Sequence, residues 1–273
     1  MNTESAANHQ GMKIHPSAIV SETAQIGKGV EIGPYCVVGK NVTLHDRVRL
    51  VSHVCIDGHT EVGEETLIYP FASIGLAPQD LKYKGEASQL MIGKRNKIRE
   101  YVTMQPGTAA GDLITTVGDD GLFMASSHVA HDCQLGDHVI MANNATLAGH
   151  VRVGTGAIIG GLAAVHQFVR IGPYAMIGGM CAIKNDVIPY GAVSVQESSL
   201  SGINLIGLKR QGVLKREIAQ FREAFDRLFF GDDGVFSERL EKARDAYKDF
   251  PRIMETIDFL SSESSRALCL PRK

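Results

Sequence analysis

Every sixth residue from Ile14 is aliphatic: Ile14, Val20, Ile26, Ile32, Val38, Leu44, Leu50, Ile56, Val62, Ile68 and Ile74. The phase still holds at Ile92, Ile98 and Met104, slips by one residue, and resumes from Val117 through Ile183. Pro189 interrupts it, and Val195 is where it is expected to recover. Four residues after the aliphatic sits something small, as at Ala18, Ala24, Cys36, Cys133, Ala145 and Ala157. A period of six fits neither a helix nor a simple alternating strand. It fits a short strand and a tight turn, repeated, with the aliphatic pointing inward and the small residue tucked near a corner. Three such faces close a coil of eighteen residues. Stacked coils then pair strand to strand at about 4.8 Å.

This pattern predicts an all-β parallel β-helix, a triangular prism, over residues 13–200, after a loose tail at 1–12. Two stretches leave the prism as loops, 75–91 and 106–116; in the first, the in-phase positions are Asp80 and Glu86, which cannot be core. Long loops on a rigid repeat scaffold usually bind something. From 201 to 273 the spacing turns helical. Val213, Leu214, Ile218, Phe221, Phe225, Leu228 and Phe229 recur at helical intervals. A turn at 231–234 leads to a helix expected to be capped by Ser237, and Pro251 opens another over 251–270. A smaller α-helical C-terminal domain is therefore expected.

The five cysteines (Cys36, Cys55, Cys133, Cys181, Cys269) are scattered and form no CxxC, which fits a reducing cytosol better than a disulfide framework. Cys36, Cys133 and Cys181 fall in the small inward slot and read as core packing. Net charge is −2, which gives no reason to expect a nucleic-acid partner. No apolar run reaches bilayer length, and the N-terminus lacks the layout of a signal peptide.

Against this frame, "SSHVAHDCQLGDHV" (Ser126 to Val139) puts titratable groups where the repeat needs none. Residues eighteen apart should stack. His131, Gly149 and Gln167 then form one column, Asp132, His150 and Phe168 the next, and Ala130, Ala148 and His166 the one before. With Val129 and Cys133 inward, His131 and Asp132 belong outside or at a turn, and His128 lies one corner earlier. Clustered titratable groups favour function. Three readings compete: surface histidines; zinc held by histidines between subunits of a trimeric β-helix enzyme of the carbonic-anhydrase type; and acid–base catalysis by His131 supported by Asp132. Spacing does not separate the last two. A non-enzymatic scaffold is the remaining class.

The stretches "HVAHDCQLGDHVIMANNATLAGHVRVG", "GGLAAVHQF", "FASIGLAPQDLKYKGE", "IGKRNKIREYVTMQPGT" and "GINLIGLKRQG" resemble the UDP-N-acetylglucosamine O-acyltransferases of lipid A biosynthesis, from about Ile14 to the end of the chain. The resemblance implies a left-handed coil, a cytoplasmic homotrimer, and transfer of a 3-hydroxyacyl chain from acyl carrier protein to the sugar 3-hydroxyl of UDP-N-acetylglucosamine. It calls for no cofactor and no metal. It makes His131 the general base, Asp132 its support and Gly149 the N–H donor to the oxyanion. His128, His150, His166 and Gln167 match substrate contacts. Gln79, Asp80 and Lys82 match residues around the sugar and acyl hydroxyl, and Asn204 and Arg210 the nucleotide end. Gly179 matches the position that limits acyl length, and its lack of a side chain implies a long chain. Gln105, Pro106, Ile206 and Gln211 depart from the family pattern, which leaves open a sugar with a 3-amino group. Two basic clusters, Lys209, Arg210, Lys215 and Arg216, and Lys94, Arg95, Lys97 and Arg99, are candidate docks for the acidic carrier.

Overall fold

The computed structural model describes residues 11–195 and 198–271, so the expected tail at 1–12 lies outside it but for its last two residues. The chain winds into three sheets of eleven, nine and eight strands, and nearly every strand pairs in parallel with the one three further along. Most strands are two residues long, the first facing out and the second in, as in Arg49–Leu50 and Arg152–Val153. Lys13–Ile14 pairs with Glu31–Ile32 eighteen residues on, so one coil is three hexads. The inward column Ile32, Leu50, Ile68, Ile98, Phe123, Met141, Ile159 and Ile177 is buried throughout. Each such side chain contributes about 1.5–3 kcal/mol by leaving water. Cys36, Cys133 and Cys181 lie buried in the same core, all as free thiols. Burial pushes the Cys133 thiol up to about 12, which makes it an inert packing group.

The loops explain the phase. Val62 pairs with Ile92, thirty residues on instead of eighteen. The excess is two whole hexads, so the aliphatic phase survives. Ile92 pairs with Val117, twenty-five residues on. That excess is one hexad plus one residue, hence the slip. Both loops are shorter than expected at their far ends. Strand Gln89–Ile92 starts inside the first and Ile114–Val117 inside the second, because their alternating residues Leu90 and Thr115 are buried against the neighbouring coils. The expected recovery at Val195 is corrected too. Ile177 pairs with Val193, and Val195 is exposed, because the last coil is two residues short.

Strand Leu200–Ile203 turns back antiparallel on Gly191–Val193 and closes the prism. Four helices follow: α1 (Leu205–Arg210), α2 (Lys215–Phe230), α3 (Phe236–Ala246) and α4 (Pro251–Ser261). Ile218, Phe221, Phe225 and Leu228 form the buried face of α2. The expected Ser237 cap is not used. The helix starts two residues earlier, with Val235 in the cap position, and Glu238 reaches back to accept the Val235 N–H. The expected helix over 251–270 ends at Ser261, after which the chain returns to the prism as an extended strap. Among the described residues no helix is long and apolar enough to cross a membrane.

The prism edges differ in chemistry. One carries Tyr35, His53, Phe71 and Tyr101, their ring centroids 5.0–5.1 Å apart. A second carries Arg47, Glu65, Arg95, Asp120 and His138, with ion pairs between coils such as Arg95–Asp120 at 2.7 Å. The third carries Asp132, His150 and Phe168, each in the left-handed region (φ 59°, 62° and 65°).

Candidate active site

That third edge holds the cluster. Strands His128–Val129 and Gln134–Leu135 flank a corner where Asp132 takes the left-handed conformation. Asp and His adopt it more readily than most residues. Stacking is regular: the His150 N–H donates to His131 O, and the Phe168 N–H to Gly149 O. The His150 ring stacks on Phe168 (4.5 Å, 9°) and meets His131 edge-on (5.1 Å). The columns expected from an eighteen-residue coil are therefore the columns observed.

One expectation changes. His131 and Asp132 do sit at a turn, yet they are only 8% and 6% exposed, because the second loop folds over them. Asp132 Oδ1 accepts the Thr108 N–H (3.0 Å), and Oδ2 accepts the Thr108 hydroxyl (2.6 Å). The Asp132 N–H is held by Thr115 Oγ1 at 2.8 Å. His131 Nδ1 lies 2.8 Å from Asp132 Oδ2. An ionised carboxylate only accepts, so beside it Nδ1 carries a proton, and in the neutral ring the lone pair then falls on Nε2. Burial strengthens such a pair.

Gly149 packs against this imidazole. A Cβ there would lie 2.5 Å from His131 Cε1 and 2.7 Å from Nε2. The buried Gly149 N–H donates to no acceptor among the described residues. Gly111 of the second loop is packed as tightly on Asp132, where a Cβ would fall 2.3 Å from Oδ1. Beside Asp132 and His150 opens a cavity of about 280 Å³, lined also by Arg152, Arg170 and Ser264.

His131, Asp132 and His150 bring one ligand atom each within 4.8 Å of one another. Asp132 Oδ2 already accepts from both Thr108 Oγ1 and His131 Nδ1, so a metal on that oxygen or on His131 Nδ1 would displace one of those bonds. The donor set fits a hydrogen-bonded acid–base pair better than a metal centre.

Burial pushes the His128 imidazole down, helped by its neighbour His131, while Nδ1 sits 2.6 Å from Thr103 Oγ1. Burial also lowers His150, partly opposed by Asp132. Both rings therefore resist protonation when folded, whereas an unfolded histidine takes a proton near 6.5. The unfolded state binds more protons, so stability is full above about pH 6.5 and falls below it. Thermal melts from pH 7 to pH 5 should show a falling midpoint, with a shallower fall in His128→Asn. Parallel slopes would remove His128 as a cause.

The other expected residues lie at several places. Asp80 of the first loop acts electrostatically on His150. Gln79 and Lys82 are exposed beside it, the Lys82 N–H bound to Asp80 Oδ1. Glu86 ties the two loops by accepting the Ala109 N–H. His166 and Gln167 lie one coil beyond Gly149, exposed. Gly179 sits half-buried next to Gly161, at the corner between the Met176–Ile177 and Ala182–Ile183 strands. Asn204 caps α1, accepting the Gly207 N–H and donating to Tyr174 O. Arg210 is exposed in the last turn of α1, and neither residue lines the cavity. Gln105 is buried, its Oε1 accepting from no group among the described residues. The residues missed by sequence reasoning were Thr108 and Arg266. The "PGT" of the second loop contains Thr108 and was the available signal. For Arg266 there was none.

A three-sided hexapeptide prism with a buried His–Asp pair under a loop defines a transferase of the hexapeptide-repeat class, and residues 23–58 match the family described as "Bacterial transferase hexapeptide (six repeats)". Residues 186–269 match "Udp N-acetylglucosamine O-acyltransferase; Domain 2". A curated relative from Caulobacter vibrioides, named acyl-(acyl-carrier-protein)-UDP-N-acetylglucosamine O-acyltransferase, is 52% identical over 96% of this chain and 99% of its own. A crystal structure described as a UDP-N-acetylglucosamine acyltransferase is 43% identical, with TM-score 0.90, covering 96% of this chain and 100% of that one. The UDP-N-acetylglucosamine O-acyltransferase of Moraxella catarrhalis is 41% identical, with TM-score 0.90, covering 95% and 99%. The chain belongs to the UDP-N-acetylglucosamine O-acyltransferase family. Its prism is a left-handed parallel β-helix with a small helical domain at its end.

Proposed function

We propose that this protein transfers a 3-hydroxyacyl chain from acyl carrier protein to the 3-hydroxyl of UDP-N-acetylglucosamine, the first step of lipid A biosynthesis. His131 Nε2 removes the hydroxyl proton as the oxygen attacks the thioester carbonyl. Asp132 holds the ring and stabilises the imidazolium. The Gly149 N–H donates to the oxyanion. The C–S bond then breaks, and the departing thiolate takes the proton from His131. The observation that carries this reading is the buried His131–Asp132 pair, 2.8 Å apart, with Nε2 packed against Gly149.

His128, His150, His166, Gln167, Gln79, Asp80 and Lys82 contact the substrates, and Asn204 and Arg210 serve the nucleotide end. The carrier docks at Lys209, Arg210, Lys215 and Arg216, which are exposed and form no ion pair among the described residues. The rival cluster is largely neutralised: Lys94 pairs with Glu64, Arg95 with Asp120, and Arg99 with Glu100. The active form is a cytoplasmic homotrimer.

The test is acyl transfer with UDP-N-acetylglucosamine and its 3-amino analogue, across carrier-bound chain lengths. An ester product at the 3-oxygen is expected. Turnover of the amino sugar alone would overturn the sugar assignment, and zinc present in stoichiometric amount would revive the metal reading. A long acyl chain is expected because Gly179 leaves the groove open. A Cβ at Gly179 would meet only the Gly161 backbone, O at 3.1 Å and N at 3.7 Å, so a side chain fits with a small shift. Gly179→Met should move the preference to shorter chains, and an unchanged chain profile would remove this residue as the limit.

A further inference from the structure

The strap after α4 is held to the prism around Asp186. Asp186, 1% exposed, accepts from the Arg170 N–H and Nε and from Ser264 Oγ (2.6–2.8 Å). Its main chain pairs with the strap on both sides, through Asp186 N–H to Ala267 O and Cys269 N–H to Asp186 O. Arg170 Nη1 donates to Ser262 Oγ, and its guanidinium lies over the Phe259 ring. So anchored, the strap places Glu263, Ser264 and Ser265 as one wall of the cavity beside Asp132 and His150.

Arg266 then reaches the active-site edge. Its Nε donates to Gln167 O and its Nη2 meets His166 Nδ1, both at 2.9 Å. A guanidinium has donors only, so His166 Nδ1 must be the acceptor. This fixes a neutral imidazole with its proton on Nε2, the form in which the ring offers a donor. The competing contact, His166 Nδ1 to Gln167 O, is longer at 3.4 Å, and Arg266 occupies both of its ends.

We infer that Arg266 is a positioning residue of the acyl-transfer site: it locks the His166–Gln167 corner and sets the His166 tautomer, so that Nε2–H is presented to an acceptor oxygen of the substrate. This rests on the reading of His166 as a substrate contact. Nothing in the sequence marks Arg266; only the strap brings it to a histidine a hundred positions away.

The experiment compares steady-state kinetics of full-length Arg266→Ala, Arg266→Lys and His166→Ala, with ¹⁵N spectra of the His166 ring. Arg266→Ala should raise KM by about tenfold, the effect of losing a charge-assisted hydrogen bond, with kcat little changed and with the single Nε2–H signature lost. Arg266→Lys should recover part of both. In a His166→Ala background, Arg266→Ala should cost less than in the wild type. A role in holding the fold alone would lower the melting midpoint and leave KM and the ring signature unmoved, which would overturn the inference. A damaging His166→Ala beside a silent Arg266→Ala overturns the inference alone. A silent His166→Ala overturns the substrate-contact reading and the inference with it.

Discussion

Replacing His131 with alanine is expected to leave the prism folded and to cut turnover by about 10²- to 10⁴-fold, the usual effect of losing a general base. The fold should survive because His131 is not one of the inward rungs. Those are Val129 and Cys133, both fully buried. What is lost is the group whose Nδ1 is bound to Asp132 and whose Nε2 is left to take a proton. Circular dichroism and a melting curve would check the fold, and a steady-state transfer assay the rate. A folded variant with most of its turnover would remove His131 as the base.

The second large effect is expected from the smallest change, Gly149→Ala. The added methyl carbon would fall 2.5 Å from His131 Cε1, far inside van der Waals contact. Neither partner can move cheaply. The Gly149 backbone is fixed by the coil, since its carbonyl accepts the Phe168 N–H, and the imidazole is tied to Asp132. The ring must swing away, and a misplacement of about 1 Å in a reacting group can cost about 10²-fold. The expected signature is a fall in kcat out of proportion to any fall in melting midpoint, with a disturbed His131 ring signal. Normal kcat in Gly149→Ala would mean that the ring and the glycine are not in contact during catalysis.

The prism was legible in the sequence because a coil imposes the same demand on every sixth position. Ile32, Leu50 and Ile68 meet one environment repeated, so their identity reports the fold directly. The same regularity gave the columns: once a coil is eighteen residues, His131 must lie under Gly149 and Asp132 under His150. The top of the prism was less legible. The last coil is two residues short, so Val193 took the inward place expected for Val195. Local propensity also overran α4, which stops at Ser261 because the following segment pairs with Asp186.

The sequence by itself determined the repeat, the parallel stacking, the two loops and the edge on which His131, Asp132, Gly149 and His150 meet. Periodicity carries that information, being a local pattern summed over many coils. Only the tertiary structure decided how that edge is covered. That Thr108 would fold back to bind both Asp132 oxygens, and that Arg266 would return to His166 and Gln167, depends on where two aperiodic segments lie. Such segments have no repeating environment to leave a mark on their residues. Their positions follow from single long-range contacts, and those exist only once the prism has formed.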